Sequence, residues 1–429
     1  MPKYFHFLAL DRPVMTGIYT HASKVDQQQM AALISTVNFS EKFGTTYTSN
    51  HGYSSLVWPT APIEVLSVNY YDSYDGIVSL YGNGYSFVAP GGFLATKTDR
   101  VFGKPVATKV AVPGQNKFLI TVNYYDDRMR LIQTVSDDNR SNKNRVTNEY
   151  WGVTSRITKS KMEHGTVLKT LSETTYDHMG RVLETFMTMD DDANTRVKTS
   201  SLTYNELGQM VDKKLHGTQS GNYTNYLQSI DFRYNIRGWL SSINKDNLGN
   251  DNGITNDDNN DLFGMQLNYH QPVMVNGVNT VAQYNGNISS ISWGVTNLKT
   301  AAQRSIAGYK YDAMNRLTSS TYAGWNGSAW SGNANAFTES LTYDKSGNIK
   351  TLARTGLIGA SVATVDQLAY RYAGNQLQWV NDNAAGYSAP VPGNGFSELM
   401  NAQTSEYEYD ANGNMTADLN KGVTSITYS

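Results

Sequence analysis

One seven-residue pattern recurs along most of this 429-residue chain. It reads tyrosine, aspartate or asparagine, two variable residues, glycine or asparagine, arginine or another polar residue, and an aliphatic residue. Neighbouring copies lie mostly 25 to 32 residues apart, a period typical of stacked repeat arrays rather than of unrelated domains. The clearest copies are YDHMGRV from Tyr176, YNELGQM from Tyr204, YNIRGWL from Tyr234, YDAMNRL from Tyr311, YDKSGNI from Tyr343 and YDANGNM from Tyr409.

The residue types in this pattern predict a β-hairpin with a tight turn. The tyrosine closes a stretch such as SLTY at 201–204, whose β-branched and aromatic residues favour a strand. The Asp or Asn accepts backbone N–H groups two residues on, and the fifth position needs a positive φ, which Gly adopts freely and Asn tolerates. Stacked hairpins would place Tyr and Arg side chains in neighbouring rows, where aromatic and cation–π contacts contribute roughly 0.5–1 kcal/mol each. The predicted structural signature is Tyr125, Tyr176, Asp177, Gly180, Arg181, Tyr204, Gly208, Tyr234, Gly238, Tyr311, Asp312, Arg316, Tyr343, Asp344, Gly347, Tyr409, Asp410 and Gly413.

Weaker copies extend the array. They begin at Tyr71, Tyr125, Tyr150, Tyr284 and Tyr372, and FLALDRP from Phe7 aligns with YDAMNRL. The step from Tyr234 to Tyr284 is close to two periods, with Tyr269 between them. Over residues 316–322 neither alternating face is strongly apolar, whereas a β-sandwich needs one apolar face. The sequence therefore predicts an all-β fold of antiparallel hairpins in a spiralling, curved sheet, wetted or half-wetted on both faces.

Composition narrows the classes of function. The chain has 29 Tyr and 10 Pro, 17% charged residues, a net charge of -2 and a mean hydropathy of -0.47. This balance gives no electrostatic footprint for nucleic acid or an anionic membrane surface. The lack of cysteine excludes disulfides and thiolate zinc sites. No apolar run has the length of a transmembrane helix, and the apolar stretch from Tyr4 to Leu10 does not read as a signal peptide.

Catalytic patterns are absent from the sequence. It contains no phosphate-binding loop, no HExxH and no GxSxG, and Gly82 and Gly84 in YGNGY lack the third glycine of a nucleotide site. The seven histidines show no metal-binding spacing. Adjacent acids such as Asp126 and Asp127 fall in predicted turns, whereas a glycosidase needs two carboxylates facing one cleft. We expect no enzymatic activity, no cofactor and no metal.

Three insertions interrupt the repeats. Residues 22–60 contain SKVDQQQMAALIST, which predicts a short helix capped by Ser23, and residues 81–117 predict loops around one hairpin. Residues 243–263 are rich in Asp and Asn. Placing Gly253 at position six of an EF-hand puts Leu248 at position one and Asn259 at position twelve, where Asp and Glu are required. A solvated turn is the preferred interpretation of that loop, and a loose calcium site stays open.

Tryptophan raises a second class of function, because aromatic side chains on a β-surface can stack on sugars. Trp239, Trp293 and Trp379 fall just after turns, where packing between rows is the preferred interpretation. WNGSAW places Trp325 and Trp330 at a hairpin tip, and these two are the predicted glycan-contacting residues. A cell-surface carbohydrate-binding or adhesion module is therefore the alternative function.

Together the motifs resemble those of RHS or YD-repeat proteins, in particular the long bacterial forms of Bacteroidetes. The resemblance runs over nearly the whole chain, through LDRPVMTGIY, VNYYDDRMRLIQTVSDDN, YNIRGWLSSIN, YDAMNRLTSSTY and YDANGNMTADLNKGVTSITY. It implies a β-ribbon that spirals into a hollow shell. Residues 1–115 would be divergent repeats with insertions, and residues 116–429 the YD-repeat region, open at its C-terminal end.

The resemblance also implies a structural, encapsulating role in an exported protein, since the shell of several family members encloses a toxic C-terminal domain. The expected partner is such an effector domain or the secretion machinery, with glycans as partners in the alternative. We expect a secreted or cell-surface location and a monomer. Repeat arrays need capped ends, and the pattern starts at Phe7 and stops at Tyr428 without a cap, so we expect a piece of a longer protein. The family's core motif and self-cleaving aspartates would follow this stretch, and none is assigned here.

Overall fold

The computed structural model describes residues 3–8, 12–20, 28–29, 32, 40–59, 63–140, 142–219, 222–249, 261–296, 303–333, 335–359, 361–384, 395–396 and 405–428. The chain divides into two compact units. The first comprises residues 1–202 and 215–227, and the second residues 203–214 and 228–429.

The first unit is an antiparallel meander in which each strand pairs with the next strand along the chain. Short connections between consecutive strands favour this topology. A helix, α1 (Ile77–Tyr81), and two 3₁₀ turns (Thr48–Asn50 and Asn83–Tyr85) lie in its longer connections. The strands are β1 (Lys3–Leu8), β2 (Arg12–Tyr19), β3 (Ile63–Asp72), β4 (Val101–Ala111), β5 (Phe118–Tyr125), β6 (Leu131–Asp137), β7 (Lys143–Tyr150), β8 (Ile157–His164), β9 (Leu168–Tyr176), β10 (Val182–Met189) and β11 (Asp192–Tyr204).

The second unit repeats this topology. Antiparallel pairs in chain order join β13 to β15, β18 to β20 and β22 to β25. β21 pairs with the tip of β20. Two separate two-stranded sheets are formed by the hairpins β16–β17 and β26–β27. A 3₁₀ turn covers Leu419–Lys421. The strands are β12 (Met210–Gly217, with residues in both units), β13 (Tyr226–Tyr234), β14 (Leu240–Ile243), β15 (Phe263–Asn268), β16 (Met274–Val275), β17 (Val278–Asn279), β18 (Ser290–Val295), β19 (Gln303–Tyr311), β20 (Leu317–Trp325), β21 (Trp330–Gly332), β22 (Glu339–Tyr343), β23 (Ile349–Ile358), β24 (Ser361–Ala373), β25 (Gln376–Asp382), β26 (Tyr407–Tyr409) and β27 (Met415–Asp418).

A register shift marks the tyrosine of many repeat copies. The ladder skips one residue of the partner strand next to Tyr125, Tyr150, Tyr234, Tyr311 and Tyr343. An extra residue on one strand bends that strand and increases its local twist. These repeats therefore carry a bend at the same place, on the strand just after the turn.

The predicted all-β, antiparallel hairpin fold is confirmed. The predicted half-wetted faces are also found, because most residues of β7 to β11 are only partly buried. A hydrophobic core occurs in the N-terminal part of the first unit, where Val14, Met15, Val68, Val101 and Val122 have no exposed surface. Among the described residues between Val135 and Leu248, no hydrophobic side chain is buried.

One weak copy was predicted wrongly. The copy at Tyr71 was expected to continue as a strand after Gly76, but residues 77–81 form α1. Ile77 is buried in the core cluster, so the burial of its side chain outweighs the strand propensity of this short segment. Of the predicted helix after Ser23, Gln28, Gln29 and Ala32 are helical, and its other residues lie outside the described part of the chain. The predicted division at residues 115–116 falls in the turn between β4 and β5 and stays a prediction.

Candidate functional site

The repeat turn is the most regular polar site of the chain. A signature tyrosine ends β5, β9, β11, β13, β19, β22 and β26. In the turn after Tyr176, Asp177 Oδ1 accepts the backbone N–H groups of Met179 and Arg181 at 2.9 and 2.8 Å. The fifth residue has positive φ, from 61° at Met129 to 92° at Gly347. The same φ region is found at Gly180, Gly208, Gly238 and Gly413. The predicted strand–turn–strand geometry is thus confirmed.

The sixth residue of the repeat pairs with the second, which the sequence pattern did not predict. Arg181 Nε donates to Asp177 Oδ2 at 2.6 Å, and Arg316 Nε donates to Asp312 Oδ2 at 2.7 Å. Asn348 takes the place of the arginine and donates to Asp344 at 2.9 Å. The sequence did contain a signal for this pairing. In the clear copies, an Asp at the second position is accompanied by Arg or Asn at the sixth, and Asn205 is accompanied by Gln209.

These contacts favour the ionised carboxylates. The backbone N–H of Arg316, followed by its side chain, holds the pKa of Asp312 below its ordinary value against the opposing effect of burial. The side-chain amide of Asn348 lowers the pKa of Asp344. The side-chain amide of Asn414 does the same for the pKa of Asp410. Each of these three aspartate turns is therefore held by a charge-assisted hydrogen bond.

Many repeat tyrosines also form a hydrogen bond with the preceding hairpin. The hydroxyl of Tyr150 donates to the carbonyl of Leu131 at 2.7 Å, and that of Tyr176 donates to Ile157 at 2.7 Å. The acceptor in each case is the aliphatic residue that follows the preceding turn. The same bond recurs from Tyr234, Tyr269, Tyr311, Tyr343 and Tyr428 to Met210, Leu240, Ile288, Leu317 and Met415. A pattern of tyrosine and aliphatic residue thus encodes one hydrogen bond between repeats.

A side chain from the preceding turn covers the tyrosine ring. The guanidinium of Arg130 lies 4.7 Å from the ring centroid of Tyr150, and that of Arg316 lies 4.6 Å from Tyr343. Where the second repeat position is Trp151, the indole stacks on Tyr176 at 5.9 Å with an interplanar angle of 6°. The predicted row contacts between Tyr and Arg are therefore present, at separations typical of cation–π and stacked pairs.

Arginine also braces successive turns. Arg130 Nη1 donates to the carbonyl of Gly152 at 2.8 Å. Arg156 Nε donates to the carbonyl of Gly180 at 3.0 Å, and Arg316 Nη1 to that of Asp344 at 3.0 Å. We call the tyrosine hydrogen bond, the covered ring and this brace together the repeat junction. It ties each hairpin both to the one before and to the one after.

The repeat between Tyr234 and Tyr311 corrects the sequence analysis. Tyr284 was predicted to close a strand, but it lies in a connection and is 68% exposed. Tyr269 directly follows β15 and donates to Leu240, so it takes the signature role. An insertion containing β16 and β17 then separates it from Ile288. The sequence alone did not show which of the two is the repeat tyrosine, because the insertion between Tyr269 and Ile288 changes the spacing of the repeat.

Two polar contacts in the first unit escaped the sequence analysis. Asp138, between β6 and β7, accepts the backbone N–H groups of Arg140 and Asn142, both at 2.8 Å, without a preceding tyrosine. Arg12 of the first copy forms a bidentate contact with Asp72, the second residue of the copy at Tyr71, at 2.7 and 2.5 Å. Both contacts have the chemistry of the repeat turn, but the first lacks the repeat tyrosine and the second joins two different copies.

The predicted glycan residues Trp325 and Trp330 lie opposite each other in β20 and β21. Their rings meet edge to face at 5.0 Å, and the guanidinium of Arg304 lies 4.7 and 4.9 Å from the two centroids. This arrangement packs the indoles against a cation and against each other instead of aligning them as a flat platform. Glycan binding here stays a prediction, which weaker retention of the Trp325→Ala and Trp330→Ala variants on a glycan array would support.

Row packing of the other tryptophans is found where the structure describes a ring contact. Trp239 packs on Tyr269 at 5.1 Å and Trp293 on Tyr322 at 6.1 Å. For Trp379, the buried indole N–H has no hydrogen-bond partner among the residues that the structure describes.

His51 lies in a buried polar cluster over the core of the first unit. Its Nδ1 is 2.9 Å from Lys109 Nζ, and its carbonyl accepts the hydroxyl of Tyr70 at 2.8 Å. Its ring packs on Phe118 at 5.2 Å. Burial, with the nearby Lys109 charge, lowers the pKa of His51 to about 4, and burial lowers the pKa of Lys109 as well. The imidazole is therefore neutral at pH 7.

An open groove of about 550 Å³ lies on β7 to β11 of the first unit. Its edge carries Trp151 and Tyr176, and its floor carries Glu149, Lys159 and Glu173, with further lining by Tyr150, Gly152, Thr158, Thr174, Thr175, Phe186 and Arg196. No motif indicated this groove, because its residues come from five strands.

Several predicted features have no counterpart to report. Within the described ranges, no group of three His, Asp or Glu side chains is arranged to hold a metal ion. Residues 250–260 of the Asp- and Asn-rich loop lie outside those ranges, so the calcium question stays open. Among the described helices, none has the length and apolarity that a membrane span requires.

No protein-family model and no curated protein matches the chain. Among solved structures, a crystal structure of TcdB2-TccC3 aligns with 89% of this chain and 20% of its own, at 10% identity and a TM-score of 0.35. A Tc holotoxin pore from Photorhabdus luminescens aligns with 87% of this chain and 19% of its own, at 9% identity and a TM-score of 0.22. A porin-like protein from Bacteroides uniformis aligns with 60% of this chain and 91% of its own, at 10% identity and a TM-score of 0.18. The chain thus spans about a fifth of the two toxin chains, and at these TM-scores the functional argument rests on the repeat junction.

Proposed function

We propose that this chain is a wall segment of an RHS-type β-shell in an exported protein, and that the shell encloses or presents an effector segment encoded after residue 429. The repeat junction is the single observation that carries the proposal. It extends a sheet by one hairpin at a time through polar contacts, as from Tyr150 to Leu131 and from Tyr176 to Ile157. Such a sheet can grow without a core on either face.

The burial pattern supports a wall. A globular domain buries one face of its sheet in a hydrophobic core, whereas β7 to β10 have partly buried residues on both faces, and the two buried residues among them, Thr147 and Thr188, are polar. A sheet that is half-wetted on both sides suits a partition between two aqueous spaces. We propose accordingly that the chain is structural and catalyses no reaction, and that it acts as a monomer in a secreted or cell-surface protein.

The test is protease protection in the product of the whole gene. A protease site is introduced after residue 429, and the product is cleaved there and then exposed to a second, nonspecific protease. We expect the released segment to stay with the shell and to resist digestion until denaturant opens the sheet. A frame that ends at residue 429 would overturn the proposal. A released segment that is digested as fast as its separately expressed form would overturn enclosure and favour presentation.

A variant of the repeat junction and a matched control variant both leave the enclosed segment unaltered. Tyr150→Phe and Tyr176→Phe together remove two hydroxyl hydrogen bonds, while His178→Ala changes an exposed residue of the turn after Tyr176. Protection should fall at lower denaturant in the tyrosine variant than in the histidine variant. Equal protection in both variants would show that enclosure does not depend on the repeat junction.

A further inference from the structure

We propose that the groove on β7 to β11 binds a neutral saccharide, with Trp151 as the stacking platform. This inference does not depend on the shell proposal, because the groove lies wholly within one unit. Its volume of about 550 Å³ falls in the range of small-molecule sites, roughly 300–1,000 Å³.

Aromatic surface is available at the edge of the groove. One face of the Trp151 indole is parallel to the Tyr176 ring, yet Trp151 remains 39% exposed. The stack fixes the orientation of the indole, so a second ring can lie on its other face at little cost in side-chain freedom. The C–H face of a pyranose is a flat apolar surface of this kind, with hydroxyls around its rim.

The charges on the floor select a neutral ligand. Glu149 lies opposite Lys159, and Lys159 lies opposite Glu173 in the ladder of β7, β8 and β9. Arg196 donates to Glu173 at 2.9 Å and lies 3.8 Å from the Phe186 centroid. Two acids and two bases therefore alternate and sum to zero. An anion would have to displace a carboxylate from its cation, and a cation would have to displace Lys159 or Arg196.

The polar groups are also held in place. The backbone N–H of Leu94 donates to Glu149 Oε2 at 2.8 Å, and Lys159 Nζ donates to the carbonyl of Gly92 at 2.8 Å. The connection between α1 and β4 thus fixes both side chains before any ligand arrives, which lowers the cost of binding. An apolar ligand would remove solvent from the remaining donors and acceptors of these groups and from the hydroxyl of Thr175, whereas sugar hydroxyls can both donate to and accept from them.

The experiment is binding of cellobiose, maltose, lactose and N,N′-diacetylchitobiose to the purified chain, followed by saturation-transfer NMR and tryptophan fluorescence. Concentrations up to about 10 mM detect dissociation constants in the millimolar range. We expect at least one disaccharide to bind saturably and Trp151→Ala to weaken it at least tenfold. Tyr284→Ala is the matched control, since it removes an exposed aromatic side chain from the other unit, and it should leave affinity unchanged.

A second variant guards against misfolding of the first. Glu173→Gln keeps a hydrogen-bonding side chain but leaves the Arg196 charge unmatched, so the groove should come to prefer the acidic sugar glucuronate over glucose by at least threefold. Circular dichroism checks that both variants keep their strand content. Absence of binding by all four disaccharides, loss of binding with Tyr284→Ala instead of Trp151→Ala, or an unchanged glucuronate preference in the Glu173→Gln variant would each overturn the inference. None of these results bears on the protease-protection test.

Discussion

Residues 12–135 and the strands β7 to β10 belong to one meander, yet they are stabilised in different ways. In residues 12–135 the connections return over the sheet and bury Tyr53, Ile77 and Tyr85 against Val68 and Val122. In β7 to β10 no hydrophobic side chain is buried. The strand pairing is antiparallel throughout. The difference therefore lies in what covers the sheet and not in how the sheet is built.

This contrast teaches that the repeat replaces a core with local polar contacts. Each junction contributes a tyrosine hydrogen bond, worth about 0.5–1.5 kcal/mol, and a ring contact of roughly 0.5–1 kcal/mol. One buried core residue is worth as much as both together. A sheet held by repeat junctions should therefore gain little stability from any single position and should tolerate single substitutions. The following experiments test that expectation.

The largest effect should come from the core. Met15→Ala removes a side chain with no exposed surface and should lower the free energy of unfolding by about 2–5 kcal/mol. Leu171→Ala in β9 truncates a partly buried leucine and should cost less than about 1.5 kcal/mol, because less apolar area is lost. Urea unfolding followed by hydrogen exchange on the two regions gives both values. Equal losses would contradict the contrast.

The next effect should come from the brace between turns. Gly180 and Gly347 have similar positive φ, 79° and 92°, so alanine costs roughly 1–2 kcal/mol of backbone strain at either position. A Cβ at Gly180 would also lie 2.1 Å from Arg156 Cζ, whereas at Gly347 it would meet nothing within 4 Å. Gly180→Ala should therefore be more destabilising than Gly347→Ala by about 1 kcal/mol, the value of the displaced Arg156 hydrogen bond. Equal unfolding midpoints would show that the brace contributes nothing.

Residues 12–135, which contain the hydrophobic core, should lose stability in mild acid. His51 has a folded pKa of about 4, below its unfolded value of about 6.5. Protonation thus favours the unfolded chain, so stability is full above about pH 6.5 and is lost as the pH falls toward 4. After solvent screening at this partly exposed site the loss should be on the order of 1–2 kcal/mol. His51→Gln should flatten the profile of unfolding midpoint against pH in that window, and a persisting slope would exclude His51 as its source.

A smaller effect should come from one junction. Tyr176→Phe removes the hydroxyl that donates to the carbonyl of Ile157 at 2.7 Å but keeps the ring under Trp151. The loss should be about 0.5–1.5 kcal/mol, seen as faster hydrogen exchange in β8 and β9 while residues 12–135 are unchanged. Exchange that accelerates equally in both regions would mean that the junction acts globally and not between neighbours.

The smallest effect should come from the exposed turn carboxylates. The folded pKa values of Asp312, Asp344 and Asp410 lie below the ordinary value, so their contribution is present above about pH 4 and is lost as the pH falls through the folded values. Replacing all three by asparagine should reduce the loss of stability between about pH 4 and pH 3, with no change between about pH 6.5 and pH 5. A change confined to the range between about pH 6.5 and pH 5 would assign the effect to His51 in residues 12–135 instead.

The hairpins were predictable because their information is local. The tyrosine at a strand end, the Asp or Asn that accepts N–H groups and the Gly or Asn at positive φ lie within five residues, so the sequence of Tyr176 to Gly180 is sufficient. Contacts across longer separations were not predictable. α1 forms because Ile77 reaches a core built from distant strands, and Tyr269 replaces Tyr284 because an insertion separates it from Ile288.

By itself, the sequence determined the repeat unit: an antiparallel hairpin whose turn chemistry is complete within seven residues. Only the tertiary structure decided how units join and what their surface offers. Trp151 stacks on Tyr176, and Glu173 meets Arg196, because strand pairing brings together residues that lie more than 20 positions apart. Local turn geometry costs no loop closure, whereas a junction or a groove depends on the register of every strand between its residues.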